Sequence, residues 1–468
     1  MTAGLHPTTA PAQAHESAPR TPVAGTPNGN GPLVLVLASL AIVVALWVDN
    51  HGLGQLGAGA GTAASSLGRL TGLLAADLLL VQVLAMARIP WVERRYGQDR
   101  LARWHRVLGF SSVTLMLGHV VLITVGYAAQ ARTGVLAELW DLLVSYPGML
   151  LAAAGTVLLV MVAVTSVRAA RRRLRYESWH LLHLYAYLGV GLALPHEVWT
   201  GSDFIASPWA RTYWWSLYAA ALVAIVTSRL GLPLVLNLRH RLVVARVVPE
   251  APGVVSVHLS GRKLHRLPTV AGQFFVFRFL DGVGWTRGNP YSLSARPHPS
   301  MLRITVKDLG DGSRRLADLR PGTRVLVEGP YGALTAARRT RHRATLLASG
   351  IGITPLRALA EEMPPGTTLV YRARSEADLV HRSELESLAT HRGLRLVYLL
   401  GSRARPGSWL PGEWAHVGDA AALRHLVPDI ARNDVFVCGP DAWADAVRSA
   451  LSAAGVPGQQ VHVERFAY

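Results

Sequence analysis

Four histidines lie in two apolar stretches of this chain, with nearly the same spacing in each stretch. His105 and His119 are 14 residues apart, and His183 and His196 are 13 residues apart. At a rise of about 1.5 Å per residue, each pair spans roughly 20 Å of helix, or about two-thirds of a bilayer's hydrocarbon core. Both spacings are close to a whole number of helical turns, so the two members of a pair point to the same side of their helix.

Two such helices facing each other would stack two pairs of imidazoles across a membrane. Each pair can hold a haem iron through its two axial positions. A single membrane histidine more often bonds to backbone or lines a polar seam, and that is the alternative interpretation here. Because four histidines match in register on two helices that run in the same direction, we predict that His105, His119, His183 and His196 are metal ligands.

The composition sets further limits on the chain. Of its 468 residues, 50% are hydrophobic and only 16% are charged, which indicates a membrane protein. The net charge of +18 is nearly all arginine, since Lys263 and Lys307 are the only lysines, and we expect no nucleic-acid partner from it. The single cysteine, Cys438, excludes a disulfide framework and a four-cysteine iron–sulfur domain within this chain.

The first half of the chain predicts an all-α membrane domain of six helices over residues 32–238. Residues 1–31 are rich in Ala, Pro, Thr and Gly and predict a disordered tail, without the pattern of a cleaved signal peptide. Apolar runs of spanning length follow at 32–48, 67–89, 104–127, 147–167, 179–200 and 211–235.

Arginines are concentrated in the loop between the second and third runs and in the loop between the fourth and fifth. By the positive-inside rule, both termini of a multi-pass cell-membrane protein would then be cytoplasmic. His105 and His183 would lie near the cytoplasmic side, and His119 and His196 near the outer side. His180 is an alternative to His183 that breaks this register. Asp77, in the second run, is either a functional acid or a structural partner.

The second half of the chain predicts two soluble domains in the cytoplasm. Short alternating strands separated by Gly and Pro indicate an antiparallel β-barrel over residues 239–338. Strands alternate with helical stretches over residues 339–468, which is typical of a parallel α/β sheet. The predicted strands are 242–248, 254–259, 273–279, 302–306, 324–327 and 344–348.

An ordered set of motifs in this half resembles the ferredoxin–NADP reductase superfamily. Asn289-Pro-Tyr-Ser-Leu-Ser294 resembles its flavin signature. The other matching segments, in the order and at the distances usual for that superfamily, are Gly312-Ser313, Gly329-Pro-Tyr-Gly332, Gly350-Ile-Gly-Ile-Thr-Pro355 and Cys438-Gly-Pro440.

The resemblance implies an FAD-binding barrel. Tyr291 would lie against the isoalloxazine ring, and Ser292 would offer its hydroxyl to the N5 edge, within the motif that continues through Leu293 and Ser294. Backbone and hydroxyl donors at Gly312 and Ser313 would cradle the pyrophosphate. The superfamily usually has a basic residue two positions before the tyrosine. This chain has Asn289 there, and Arg287 is the candidate for the missing charge.

The resemblance also implies a nicotinamide-nucleotide domain. Gly350 and Gly352 make a turn where a dinucleotide backbone can approach closely, with Pro355 opening a helix and Thr354 as a possible phosphate donor. Arg372 and Arg374 follow the next strand, where the 2′ position of the ribose would lie. Paired arginines there favour NADPH over NADH, although they are also compatible with solvated charges.

Two further positions follow from the resemblance. Cys438, followed by Gly439 and Pro440, corresponds to the family cysteine beside the nicotinamide, or is a small buried residue at a strand end. Phe466 corresponds to the terminal aromatic that shields the flavin, with Tyr468 as the competing candidate.

The two halves together resemble the ferric reductase and NADPH oxidase superfamily of flavocytochromes b. This implies an NAD(P)H-dependent oxidoreductase with FAD and two b-type haems, which transfers electrons from cytoplasmic NAD(P)H to an acceptor on the outer face. Dioxygen, a ferric chelate, a quinone and a partner protein all remain possible acceptors. One alternative is a membrane-anchored flavin reductase that delivers electrons to a partner protein without haem. A transporter or channel with a nucleotide-sensing domain is another, and it leaves the four histidines unexplained.

Overall fold

The computed structural model describes residues 31–171, 173, 176–282 and 285–465. A helical part extends to His240 and a β-rich part begins at Val243. The helices of the first part are α1 Gly31–Asp49, α2 Gly52–Leu56, α3 Ala60–Met86, α4 Pro90–Tyr96, α5 Gln98–Ala131, α6 Val135–Ser145, α7 Met149–Ser166, α8 Arg168–Arg171, α9 Tyr176–Trp199, α10 Ser202–Ile205, α11 Pro208–Ile225 and α12 Leu232–His240.

Within the described ranges, five helical segments are long and apolar enough to cross a membrane. They are Gly31–Asp49, Ala60–Met86, Arg100–Ala131, Met149–Ser166 and Pro208–His240. The remaining predicted run, 179–200, lies in α9, which is 24 residues long but contains three histidines and three tyrosines that reduce its hydropathy. Large apolar side chains cover the outside of these helices: Phe110 of α5 is 74% exposed and Leu150 of α7 is 66% exposed, as expected of a surface that faces lipid. Six spans therefore remain a prediction.

Glycines bring the histidine-bearing helices close to their neighbours. A Cβ added at Gly72 of α3 would lie 2.5 Å from Nδ1 of His119 in α5. A Cβ at Gly155 of α7 would lie 2.7 Å from the carbonyl oxygen of Gly189 in α9. Small residues allow this approach, which is the usual way that membrane helices gain van der Waals contact in the absence of a hydrophobic driving force.

The last membrane helix continues into the β-rich part. The π-helical segment Val226–Gly231 joins α11 to α12, and Pro233, which has no N–H to donate, lies in the first turn of α12. Asn237 then bonds to the backbone of Val327 twice: its Nδ2 donates to the carbonyl, and its Oδ1 accepts from the N–H, both at 2.9 Å. These bonds fix the end of the membrane helix on the reductase-like module.

Six strands and one short helix form the first part of this module. They are β1 Val243–Ala251, β2 Val254–Ser260, β3 Phe274–Phe279, β4 Asn289–Ser292, β5 Met301–Lys307 and β6 Val325–Tyr331, with α13 Asp311–Arg314 between β5 and β6. Two antiparallel sheets, β1-β2-β5 and β4-β3-β6, are linked by single bridges at Val243–Arg324 and Leu293–Ile304. Both sheets contribute to one core around Phe275, Phe277 and Phe279.

A five-stranded parallel sheet forms the rest, which confirms the predicted α/β arrangement of this region. The strand order is β11-β10-β7-β8-β9, so β7 lies in the centre. The strands are β7 Ala344–Ser349, β8 Thr368–Arg372, β9 Arg395–Leu399, β10 Asp434–Cys438 and β11 Val461–Glu464. The helices are α14 Ile353–Ala360, α15 Arg382–Arg392, α16 Asp419–Leu426 and α17 Asp441–Ala453.

A buried polar network joins the two parts of the module. Arg303 of β5 donates to both carboxylate oxygens of Glu384 in α15, at 2.6 and 2.9 Å, and Arg357 of α14 lies 2.7 Å from the same carboxylate. Arg303 also donates to the carbonyl of Ser294 at 2.9 Å. Thus the end of the predicted flavin motif is held by residues that also bind the nucleotide domain.

This network predicts a pH-dependent stability. Burial disfavours the charge of Glu384, but the hydrogen bonds from Arg303 and the charges of Arg357 and Arg303 outweigh it and lower the pKa to about 2. The stabilisation is therefore present above the ordinary carboxyl pKa and is lost as the pH falls toward about 2. For Glu384→Gln we expect a loss on the order of 1 kcal/mol at neutral pH, since the carboxylate is partly exposed. Thermal unfolding of the wild type and of Glu384→Gln between about pH 2 and pH 6 measures this loss of stability.

The difference between wild type and Glu384→Gln should shrink as the pH is lowered. Glu376→Gln is the matched control, because Glu376 forms an exposed ion pair with Arg382 at 3.0 Å and should contribute little at any pH. An equal and pH-independent effect of both substitutions would contradict the prediction.

Candidate functional site

The structure brings the four predicted histidines together as two facing pairs. The ring centroids of His105 and His183 are 5.7 Å apart, and those of His119 and His196 are 6.3 Å apart. His180 is exposed, and the α9 ring that faces His105 is that of His183. The two pairs lie about 20 Å apart along α5, so the site extends along the bundle and not only across it.

Three of the four imidazoles have an oxygen partner at Nδ1. His119 Nδ1 lies 2.8 Å from the carbonyl of Gly68, His196 Nδ1 lies 2.6 Å from Oγ1 of Thr200, and His183 Nδ1 lies 3.2 Å from Oγ of Ser166. An acceptor at Nδ1 favours the neutral tautomer in which Nε2 carries the free lone pair. Each of these rings can therefore bind a metal through Nε2.

Asp77 takes part in a different contact. It is fully buried, and its Oδ1 accepts from Ser39 at 2.7 Å and from Tyr213 at 2.5 Å. This trio ties α1 and α11 to α3, as expected of a structural partner.

The reductase-like module contacts the membrane part next to the start of α5. The guanidinium of Arg88 lies 4.4 Å from the ring centre of Tyr331 in β6 and 3.0 Å from Glu93 of α4. Arg338 donates to the carbonyl of Arg94 at 2.8 Å. His105 follows about two turns into α5, so the His105–His183 pair is the one nearer the module.

The predicted flavin motif forms β4 and the turn after it. Tyr291 pairs with Phe275 across the sheet and packs 6.2 Å from the ring of Phe277, while remaining partly exposed. Ser292 is 6% exposed. Leu293 and Ser294 are completely buried, and Ser294 Oγ accepts from Arg303 at 3.1 Å. The motif thus presents Tyr291 at the surface of the core and anchors Ser294 inside it.

The second predicted flavin segment adjoins the first. A Cβ added at Gly312 would lie 3.8 Å from Oδ1 of Asn289, so α13 faces the start of β4. Ser313 Oγ accepts from the N–H of Leu309 at 2.8 Å, which holds the turn before α13. Arg287 is exposed just before β4. The structure therefore places Arg287, Asn289, Gly312 and Ser313 at one edge of the β-rich part.

The glycine turn after β7 packs against the end of β10. A Cβ at Gly352 would lie 2.2 Å from the carbonyl oxygen of Cys438, so only glycine fits there, and Gly350 has a positive φ of 55°. Thr354 is buried, and its hydroxyl donates to the carbonyl of Ile351 at 3.0 Å. Thr354 and Pro355 therefore shape the turn and the start of α14, and the hydroxyl of Thr354 is already bonded within it.

A cleft of about 550 Å³ opens beside this turn, and Ser349, Gly350 and Pro440 line it. Arg372, Arg374 and Arg403 also line it, and none of the three forms an ion pair with an acid in the described part of the chain. Burial and the neighbouring Arg403 and Arg374 lower the pKa of Arg372. Asp378 and Lys307 line the cleft as well, so its lining carries a net positive charge, which favours an anion such as a phosphate.

The predicted cysteine lies deep in the same region. Cys438 is fully buried, and burial, with a smaller effect of Glu464, raises the pKa of its thiol, so the thiol is neutral at neutral pH. A Cβ at Gly439 would lie 2.8 Å from the ring of Trp443. Phe466 and its competitor Tyr468 fall outside the residues that the structure describes.

Several residues of the site were not found from the sequence. Gly68 and Gly72 carry a signal, since their small-xxx-small spacing marks a close helix contact. Thr200 also carries a signal, since a residue four positions after His196 lies one helical turn away and can reach its ring. Arg403 carries no signal in the sequence, because only the folding of the sheet brings the loop after β9 close to Arg372.

Two family matches cover the two parts of the chain. The family described as "Ferric reductase like transmembrane component" matches residues 71–194, which include His105, His119 and His183, while His196 lies two residues beyond the matched range. The family described as "Oxidoreductase NAD-binding domain" matches residues 346–449.

Curated relatives match the second half. Ferredoxin–NADP reductase B of Sorangium cellulosum is 31% identical over 195 residues, which are 38% of this chain and 77% of that protein. The ferredoxin reductase component of the 3-ketosteroid-9-alpha-monooxygenase of Mycobacterium tuberculosis is 33% identical over 209 residues, or 43% of this chain. The chain spans only 56% of the length of that protein. Among solved structures, a cytochrome P450 reductase of Amycolatopsis is 21% identical, with a TM-score of 0.41, over 48% of this chain and 69% of that one.

The helical part and the module thus match different families, over residues 71–194 and 346–449. The chain belongs to the ferredoxin–NADP reductase family of oxidoreductases, and it also carries a segment, residues 71–194, that matches a ferric reductase-like transmembrane component.

Proposed function

We propose that this protein transfers electrons across the cell membrane from NADPH, through FAD on the reductase module and two b-type haems in the bundle, to an acceptor on the opposite face. The observation that carries the proposal is the pair of facing imidazoles at each of two levels of the same two helices. A single level would serve a local redox site. Two levels give a path along the bundle.

The residues present fit haem at both levels. Among the described residues, no group of three or more His, Cys, Asp and Glu side chains could hold a metal ion, so each site has two imidazole donors. An iron bound there would need its remaining ligands from the group that carries it, as a porphyrin provides. Metal–nitrogen distances of about 2.0–2.1 Å put the centroids of two axial imidazoles roughly 6 Å apart, close to the observed 5.7 and 6.3 Å.

On the reductase module, the chain's own residues bind and orient the nucleotide and the flavin. The cleft beside Gly350 holds the nucleotide, and Arg372, Arg374 and Arg403 neutralise its 2′-phosphate. Tyr291 provides an aromatic surface for the flavin ring, with Ser292 at its edge. Asn289, Gly312 and Ser313, assisted by Arg287, receive its phosphates. The neutral thiol of Cys438 lies behind the turn and fills space beside the nicotinamide without acting as a nucleophile.

In the membrane part, the four histidines would set the positions of the two haems, and the docking of the module would set the direction of electron transfer. Bound FAD would supply the change from two-electron to one-electron transfer, and bound haem the one-electron steps. Docking of α4 on β6 keeps the His105–His183 pair beside the module, so we infer that electrons enter there and leave from the His119–His196 pair. Two imidazoles would hold each haem, and the bound haem would supply one-electron transfer to an acceptor such as dioxygen, a ferric chelate or a quinone.

A second candidate function is a membrane-anchored reductase that passes electrons from its flavin to a partner protein. The relatives favour it to the extent that several of them are named as reductase components of monooxygenases. The paired histidines then have no role, so the experiments on the histidines distinguish the two functions.

We expect the purified protein to show low-spin b-type haem bands together with flavin. His119→Ala and His105→Ala should each lose about half of the haem absorbance, because each removes one axial ligand of one site. His180→Ala is the matched control on α9 and should keep both haems. NADPH-dependent dye reduction by the flavin should persist in all three variants.

A wild-type protein that binds flavin but no haem, even when expressed with ample haem supply, would contradict the main proposal and favour the second candidate. A loss of haem in His180→Ala equal to that in the other variants would contradict the ligand set.

Gly72→Ala should displace His119, because the new Cβ would lie 2.5 Å from its Nδ1. We expect a selective loss or spectral change of about half of the haem absorbance. Gly118→Ala is the control on α5, where an added Cβ meets nothing within 4 Å. The two variants can be compared by absorption and by electron paramagnetic resonance. Equal spectra for both would show that the contact between α3 and α5 does not position the ring.

Arg403→Ala should reduce the preference for NADPH over NADH. Loss of one charge-assisted contact to phosphate should lower the ratio of the two kcat/KM values by about 10- to 100-fold, mainly through NADPH. Arg405→Ala is the control, since Arg405 lies outside the cleft and pairs with Asp419 at 3.4 Å. An unchanged ratio in Arg403→Ala would remove Arg403 from the nucleotide site.

A further inference from the structure

We propose that Thr200 is a positioning residue that lowers the midpoint potential of a haem held by His119 and His196, the outer site, relative to one held by His105 and His183, the inner site. This inference rests on the proposed function, since it presupposes haem at both histidine pairs. It follows from the hydrogen bonds made by Nδ1 of the imidazoles.

At the outer pair, both imidazoles have short bonds at Nδ1. His119 Nδ1 lies 2.8 Å from the carbonyl oxygen of Gly68, which can only accept. His196 Nδ1 lies 2.6 Å from Oγ1 of Thr200. The same hydroxyl donates to the backbone carbonyl of His196 at 2.7 Å, so its proton is already used and its oxygen accepts from Nδ1–H. Both outer rings therefore donate a strong hydrogen bond to oxygen.

At the inner pair, these bonds are weak or missing. His183 Nδ1 lies 3.2 Å from Oγ of Ser166, at the long end of the hydrogen-bond range. His105 Nδ1 is buried and has no partner within hydrogen-bond geometry, although the backbone carbonyl of Gln82 lies close enough to interact with the ring. The indole of Trp179 stacks on His183 at 5.2 Å between ring centres, and it contacts the face of the ring without accepting a proton. The two sites thus differ in the partners of their ligands while the ligands themselves are the same.

A hydrogen bond from the distal N–H makes an imidazole a stronger electron donor to the metal. A stronger donor stabilises the oxidised iron, which lowers the midpoint potential. The outer site, with two short bonds, is therefore the lower-potential site, and the inner site is the higher one. In this arrangement the inner site readily accepts electrons from the module, and the outer site is the stronger reductant toward the acceptor.

The experiment is a potentiometric titration of the purified holoprotein in detergent, followed at the haem absorption bands. Wild type should titrate in two separate one-electron steps. Thr200→Val, which keeps the shape of the side chain and removes the hydroxyl, should shift only the lower step upward, by about a threefold to tenfold change in the equilibrium constant for reduction. A tenfold change corresponds to about 59 mV for one electron. Thr200→Ser, which restores the hydroxyl, should return that step to the wild-type value.

Ser166→Ala is the matched variant at the inner site. It should shift only the upper step, and by less than Thr200→Val shifts the lower one, because the bond it removes is longer. If Thr200→Val keeps its haem bands but neither redox step shifts, or if the upper redox step shifts, this inference is overturned. The proposed function would still stand in either case. Absence of haem from the wild type would overturn the proposed function itself.

Discussion

The close approach of α5 and α9 through their histidine rings is the contact on which the rest of this molecule depends. An imidazole inside a bilayer needs a partner for each nitrogen, because lipid offers none. Here the oxygens of Gly68, Thr200 and Ser166 meet Nδ1 of three rings, and the opposite ring lies across from each. The glycine contacts of α3 with α5 and of α7 with α9 hold the helices at the distance that this pairing requires.

The reductase module is oriented by the same membrane part that carries the histidines. Asn237 extends the last membrane helix onto Val327, and Arg88 packs on Tyr331 just before α5 begins. Inside the module, Arg303 and Glu384 connect the flavin motif with the nucleotide domain. Polar contacts between elements that are distant in sequence therefore hold the module on the membrane part and join the two parts of the module.

Much of the fold and part of the site could be predicted from local pattern. Apolar runs anticipated the long helices to within a few residues in α1, and alternating apolar residues anticipated β2, β3 and β5, because burial imposes those periods on any chain. The strand Asn289–Ser292 was not anticipated as a strand, since its proline and polar residues hide the pattern. The role of Thr354 as a phosphate donor stays a prediction, and in the structure its hydroxyl donates to the carbonyl of Ile351 within the turn.

The sequence by itself determined that four histidines would lie on two faces in matching register, because helical geometry converts spacing into direction. It also determined the order of the nucleotide motifs. Tertiary structure alone decided which oxygen each imidazole meets and which arginines share a cleft. Gly68 and His119 are 51 residues apart, and Arg372 ends β8 whereas Arg403 lies in the loop after β9, so no local pattern specifies either contact. Packing of helices and ordering of strands bring them together.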